Sequence, residues 1–152
     1  MVTFDDIDRR ILSELQRDVA QNLEGLAERV GLSRNAIWRR IKALDEVGVI
    51  KGRVALLDAE KLGVGLSVVM MIRTNSHDPK WLEGFAKATA SMSEIQGVYR
   101  MSGDLDYMLR ARVADMAAYD ALYQRLIRKV ALSDVSASFV MEEIKETTAL
   151  PL

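Results

Sequence analysis

Apolar residues in the first third of the chain recur at helical spacing. In Thr3–Leu15, Ile7, Ile11, Leu12 and Leu15 share one side, which predicts an amphipathic helix. Thr3 or Asp5 can cap its start, and the acids of the first turn face the positive helix end. Asn22 suits the cap of a short second helix, Leu23–Val30, which Gly31 ends where a positive φ is needed. Ser33 caps a third helix that buries Ile37, Ile41 and Leu44, and Gly48 stops it. The period then changes to two. Ile50–Leu57 and Leu66–Arg73 read as strands. Pro79 opens a helix with Trp81, Leu82, Phe85 and Thr89 on one stripe. Ile95–Ser102 and Asp106–Val113 are strands joined by a tight turn at Gly103-Asp104-Leu105. Asp115–Val130 is a helix with Tyr119, Tyr123, Leu126, Ile127 and Val130 inward, and Val135–Ile144 is the last strand.

The predicted fold is therefore α+β: a three-helix module followed, from Leu66, by β-α-β-β-α-β in the ferredoxin-like order. The change of period near Gly52 divides the chain into 1–52 and 53–152, with the strand at 50–57 as linker. A length of 152 residues accommodates two small domains.

Composition narrows the function. There is no cysteine, which excludes disulfides and thiolate metal sites and suits a reducing, cytoplasmic setting. The N-terminus lacks the basic-then-apolar layout of a signal peptide, and no stretch reaches the length of a membrane span. His77 is the single histidine, so histidine dyads within one chain are excluded. No serine–histidine, cysteine–histidine or phosphate-loop pattern is present, and the reading calls for neither enzyme chemistry nor a cofactor.

The net charge of −1 conceals a local bias. Between Ser33 and Arg53 stand six basic residues against two acidic ones, whereas the chain from Val54 onward holds 11 basic and 13 acidic. A solvated helix face explains such charges alone; their surroundings point elsewhere. Ala27, Gly31 and Ile37 have the spacing of a helix-turn-helix: a small residue at the helix contact, a glycine in the turn, an apolar residue beneath the second helix. At about 100° per residue, Asn35, Arg39 and Lys42 lie opposite Ile37, flanked by Arg34 and Trp38. Arginine pairs bidentately with guanine and asparagine with adenine in the major groove. Lysine and the Ser33 hydroxyl suit phosphates. Trp38 fits a half-buried packing role better than a base contact. Arg40 falls nearer the inner face, so its head must reach water or an acid such as Asp8 or Glu14. Lys51 and Arg53 can grip the flanking backbone as a short wing does. The expected partner is double-stranded DNA.

These motifs together resemble the leucine-responsive regulatory protein / AsnC family of transcription regulators. The resemblance rests on Ile7-Asp8-Arg9-Arg10-Ile11-Leu12 with Leu15, Leu26-Ala27, Val30-Gly31-Leu32-Ser33, Arg39-Arg40-Ile41, Leu44 and Gly48-Val49-Ile50. In the second half it rests on Ser102-Gly103-Asp104-Leu105-Asp106-Tyr107 and Val140-Met141-Glu142-Glu143-Ile144-Lys145. It implies a winged helix-turn-helix, a sensor domain that dimerises through its sheets, further assembly to tetramers or octameric discs, and a small amino acid as effector, bound near the junction between dimers.

The Gly103–Tyr107 turn has a matching chemistry. Glycine lets backbone N–H groups approach a carboxylate, and an aspartate can pair with an α-ammonium. A plain β-turn in which Asp104 bonds its own backbone fits the residues equally well, and the resemblance favours the effector reading. The candidate effector residues are Met101, Ser102, Gly103, Asp104, Asp106, Tyr107, Ser136 and Ser138. Taken alone, the two serines read better as solvent-facing strand residues, and Met70, Met71, Met101 and Met108 as core. Two other functions share the fold: an enzyme resembling the siroheme decarboxylases, which rely on histidines, and a partner-binding module without DNA affinity. The alternation of Val135, Ala137, Phe139 and Met141 supplies an apolar face to bury within or between subunits.

Overall fold

The computed structural model describes residues 3–152, which group into two compact units. One contains the residues up to Leu56 together with Lys145–Leu152, and the other is Leu57–Ile144.

The first unit is built on three helices, α1 (Asp6–Arg17), α2 (Leu23–Val30) and α3 (Arg34–Glu46). Each start is fixed by a side chain that accepts an orphan backbone N–H: Asp5 from Asp8, Asn22 from Gly25, Ser33 from Ala36. Such a cap contributes about 1 kcal/mol. At α1 the capping box is reciprocal, since Asp8 also accepts from the Asp5 N–H. Gly31 ends α2 at φ 77°, a conformation a side chain resists, and its N–H returns to the Ala27 carbonyl. The three helices close over Ile11, Leu26, Val30, Ile37 and Leu44, with Ile7, Leu15, Ile41 and Ile50 packed around them. The C-terminal tail joins this unit through α1. The Gln16 carboxamide donates to the Leu150 carbonyl (3.2 Å) and accepts from the Leu150 N–H (2.6 Å).

The strand expected at Ile50–Leu57 does not form; beyond Ile50 the segment is exposed, and it carries no ladder. Alternation marks the two faces of an extended chain, but a strand also needs a backbone to pair with, and here none lies alongside. Val54, Leu56 and Leu57 are left largely exposed.

The second unit holds β1 (Leu66–Arg73), α4 (Pro79–Ala90), β2 (Ile95–Arg100), β3 (Tyr107–Val113), α5 (Met116–Lys129) and β4 (Asp134–Phe139). The sheet order is β2-β3-β1-β4 with every neighbour antiparallel, the ferredoxin-like arrangement. Val68, Met70 and Ile72 of β1 and Leu109, Ala111 and Val113 of β3 point to the helices and are buried with Phe85, Leu122 and Leu126. Two helix stripes differ from expectation. On α4, Leu82 is exposed and Ala88 takes its place inside. On α5, Leu122, Leu126 and Val130 form the buried line; Ile127 is exposed, and Tyr119 and Tyr123 sit half-buried at its edge. The last strand stops at Phe139, so Met141 lies outside it and is 96% exposed. Val135, Ala137 and Phe139 pack toward the unit's own core.

The opposite sheet face carries no helix of this unit. Cross-strand register places Val69, Met71, Met108, Arg110, Tyr99, Ser136 and Ser138 on it. Of the four methionines read as core, Met70 is fully buried, Met71 and Met108 belong to this open face, and Met101 is exposed.

Candidate DNA-reading face and effector turn

Ile37 and Leu44 fix the orientation of α3 by burying its inner side, and Asn35, Trp38, Arg39 and Lys42 are exposed on the outer side. Arg39 has no hydrogen-bond or ion-pair partner among the described residues. Its guanidinium fork is therefore open for a bidentate acceptor. Arg34 meets Glu24 loosely at 3.5 Å, and Lys42 lies 3.8 Å from Glu46; both pairs are solvent-exposed and easily exchanged for a phosphate. Ser33 is occupied as the N-cap of α3, its hydroxyl oxygen accepting from the Ala36 N–H at 3.3 Å. Its hydroxyl hydrogen stays available as a donor.

The basic residues divide into two roles. Arg40 turns inward and reaches Asp8 (2.7 Å) and Asp5 (2.9 Å), while Glu14 is taken by Arg17 and Arg29. Backbone N–H donation from Asp8 and the Arg40 guanidinium hold the Asp5 carboxyl below its usual range, and the two carboxylates raise Arg40 in turn. Arg40 thus ties α3 to the start of α1. Arg53 is likewise engaged, donating to both carboxylate oxygens of Asp45 at 3.0 and 2.8 Å. It braces the end of α3, so the expected grip on a DNA backbone has a competitor in its own chain. Lys51 is exposed beside it, on a segment that is not the strand a wing requires.

Trp38, read from the sequence as a half-buried packing residue, has 54% of its surface exposed. The Lys42 ammonium stands 5.6 Å from the indole centroid.

At the far end of the open sheet face, β2 turns into β3. The hairpin is closed by the Met101 N–H on the Asp106 carbonyl (2.9 Å). Gly103 sits at φ 103°, where a side chain is strained. The turn is bolted to the end of β1 from two sides. Arg73 Nε donates to the Asp104 carbonyl at 3.0 Å, and the Asp106 carboxylate accepts the Thr74 N–H at 2.8 Å. His77 Nε2 lies 3.7 Å from the other Asp106 oxygen. Arg73, Thr74 and His77 were not anticipated, because their link to the turn spans some thirty positions of chain. The Asp104 carboxylate makes no hydrogen bond or ion pair among the described residues, so it does not bond its own backbone.

Not every expected effector residue gathers there. Met101, Ser102, Gly103 and Asp104 are exposed at the turn. Tyr107 is not available: it is buried and stacks with Trp81 and Phe85, ring centroids 5.6 and 4.8 Å away. Strand alternation forces this, since Asp106 points outward and the next residue must point in. Ser136 faces Met71 one row from the turn on the open face, and Ser138 lies a further row along, opposite Val69. A separate groove of about 320 Å³ runs between α5 and β4, lined by Tyr123, Ile127 and Val135 among others and by none of the turn residues.

Residues 4–45 match the family model described as an AsnC-type helix-turn-helix domain, and residues 67–150 match the Lrp/AsnC ligand binding domain. The DNA-binding transcriptional activator DecR of Escherichia coli is 46% identical over 150 residues, spanning 98% of this chain and 99% of its own. The crystal structure of an AsnC family transcriptional regulator from Agrobacterium tumefaciens superposes with a TM-score of 0.94 at 49% identity, over 97% of each chain. A transcriptional regulator of Neisseria meningitidis, solved as its L-Met complex, gives 0.94 at 32% identity over 98% of this chain and 97% of that one. With both halves matched in order and similarity along nearly the whole length, the chain belongs to the Lrp/AsnC family of DNA-binding transcription regulators.

Proposed function

We propose that this regulator reads DNA with Asn35 and Arg39 in the major groove, seats Lys42, Arg34 and Ser33 on phosphates, and is switched by a small amino acid at the Gly103–Asp106 turn. The observation that carries the effector reading is the unpaired Asp104 carboxylate next to a positive-φ glycine, on a hairpin held rigid by Arg73 and Thr74. A carboxylate and open backbone N–H groups complement the ammonium and carboxylate common to amino acids. The L-Met complex of the Neisseria relative supports the ligand class.

The second copy that a helix-turn-helix needs for paired half-sites fits the open sheet face, where Val69, Met71 and Met108 lie half-covered. A ligand bound near such a junction is linked to assembly, and a coupling of roughly 1–3 kcal/mol changes DNA affinity by about 5–150-fold. The test is to titrate amino acids against operator binding, particle mass and melting temperature for the wild type and Asp104→Ala. The wild type should respond and the variant should not, with its DNA affinity unchanged in the absence of ligand. An identical response from both would place the ligand elsewhere.

A further inference from the structure

Trp38 is a large indole left 54% exposed on the helix that carries the free Arg39. A packing residue would be covered by its own unit, as Ile37 and Leu44 on the same helix are. The Lys42 ammonium, one helical turn further on, lies 5.6 Å from the ring centroid. Trp38 therefore presents an exposed apolar surface on the shoulder of the basic face. On the helix it stands about 60° from Asn35 and about 40° from Lys42. The positive charge around it favours a polyanion over an apolar protein groove as its cover.

Major-groove base edges offer donors and acceptors at every pair but one apolar group, the C5 methyl of thymine. An exposed indole on a groove-facing helix has that methyl as its single apolar counterpart among the base edges. We propose that Trp38 is a specificity-determining residue that reads a thymine methyl at the flank of each half-site, with Lys42 positioning the ring and reaching the adjacent phosphate. This rests on α3 being the base-reading helix, and adds which base feature it selects beyond Asn35 and Arg39. Covering one methyl group is worth about fourfold in affinity.

The experiment uses the full-length protein. Duplexes are selected from a randomised pool, and each thymine of the preferred sequence is then replaced by uracil, which removes only the methyl. Affinities are measured for the wild type, Trp38→Ala and Trp38→Phe, with melting curves to verify folding. At one thymine per half-site, uracil should weaken the wild type about fourfold. Trp38→Ala should lose a similar amount on the thymine duplex and nothing further on uracil, and Trp38→Phe should keep part of the discrimination. The proposal is overturned if Trp38→Ala retains the full uracil penalty at every position, or if it weakens all duplexes alike, which would mean that the indole lies on the sugar–phosphate wall. Should Trp38→Ala fail to fold, Trp38→Phe decides, since an unchanged uracil penalty in it rejects the proposal. A wild type without preference among duplexes rejects the base-reading role of α3 itself, a result separable from the others because it needs no variant.

Discussion

Two arginines one residue apart show how position decides role. Arg39 faces outward and has no partner among the described residues, whereas Arg40 is drawn to Asp5 and Asp8 and fastens α3 to α1. The sequence makes this division visible through the 100° step between them. It does not reveal that Arg53 folds back on Asp45, because a salt bridge across a helix end depends on where an irregular segment runs. Tyr107 illustrates the same limit. Its place in the Gly103–Tyr107 turn suggests a ligand contact, yet it stacks in the core with Trp81 and Phe85. Replacing a buried aromatic by alanine costs about 3–5 kcal/mol. Tyr107→Ala should therefore lower stability by that amount in denaturant titrations, and Tyr107→Phe should leave both stability and any amino-acid response near wild type. A lost response in a fully stable Tyr107→Phe protein would restore this residue to the effector site.

Among the elements, the helix ends were the most legible, because a cap is a local event: Asn22 and Ser33 start α2 and α3, and Gly31 stops α2, where the sequence placed them. For α1 the sequence left Thr3 and Asp5 as alternatives, and the reciprocal bonds of Asp5 and Asp8 decide for Asp5. The failures are non-local. Ile50–Leu57 alternates as a strand does but has no partner in its own chain, and the inward line of α5 runs through Leu122 because the sheet beneath it, and not the conspicuous tyrosines, selects the face. The α1 cap also carries a pH dependence. Backbone donation from Asp8 and the Arg40 charge lower the Asp5 pKa from its ordinary 3.8. The stability this contributes is present above that ordinary value and is lost as pH falls through the depressed one. In acid melts of the full chain, Asp5→Asn should fall below the wild type at neutral pH, and the gap should close as the wild-type carboxyl protonates. A gap that is constant down to strong acid would mean that Asp5 acts only as a hydrogen-bond acceptor.

For the whole molecule, charge is what separates the two units in function. The excess of basic residues lies in and just after α3, on a chain whose net charge is −1, so positive charge is concentrated on the stretch proposed to meet DNA. The ligand-binding unit has a sheet face without a helix of its own, the face proposed for a second copy, and at its end a turn whose Asp104 carboxylate is unpaired among the described residues. The most direct test of this account is the affinity of the full-length protein for its selected duplex and for unrelated DNA, measured across a salt series for the wild type, Arg39→Ala and Lys42→Ala. Arg39→Ala should lose about 1–3 kcal/mol on the selected duplex and little on unrelated DNA, because it removes a base contact. Lys42→Ala should weaken both and reduce the salt slope by about one phosphate contact, with at most a further loss of about fourfold confined to the selected duplex, where it also releases the Trp38 ring. Wild-type affinity and salt slope in both variants would contradict the assignment of α3 as the helix that reads DNA.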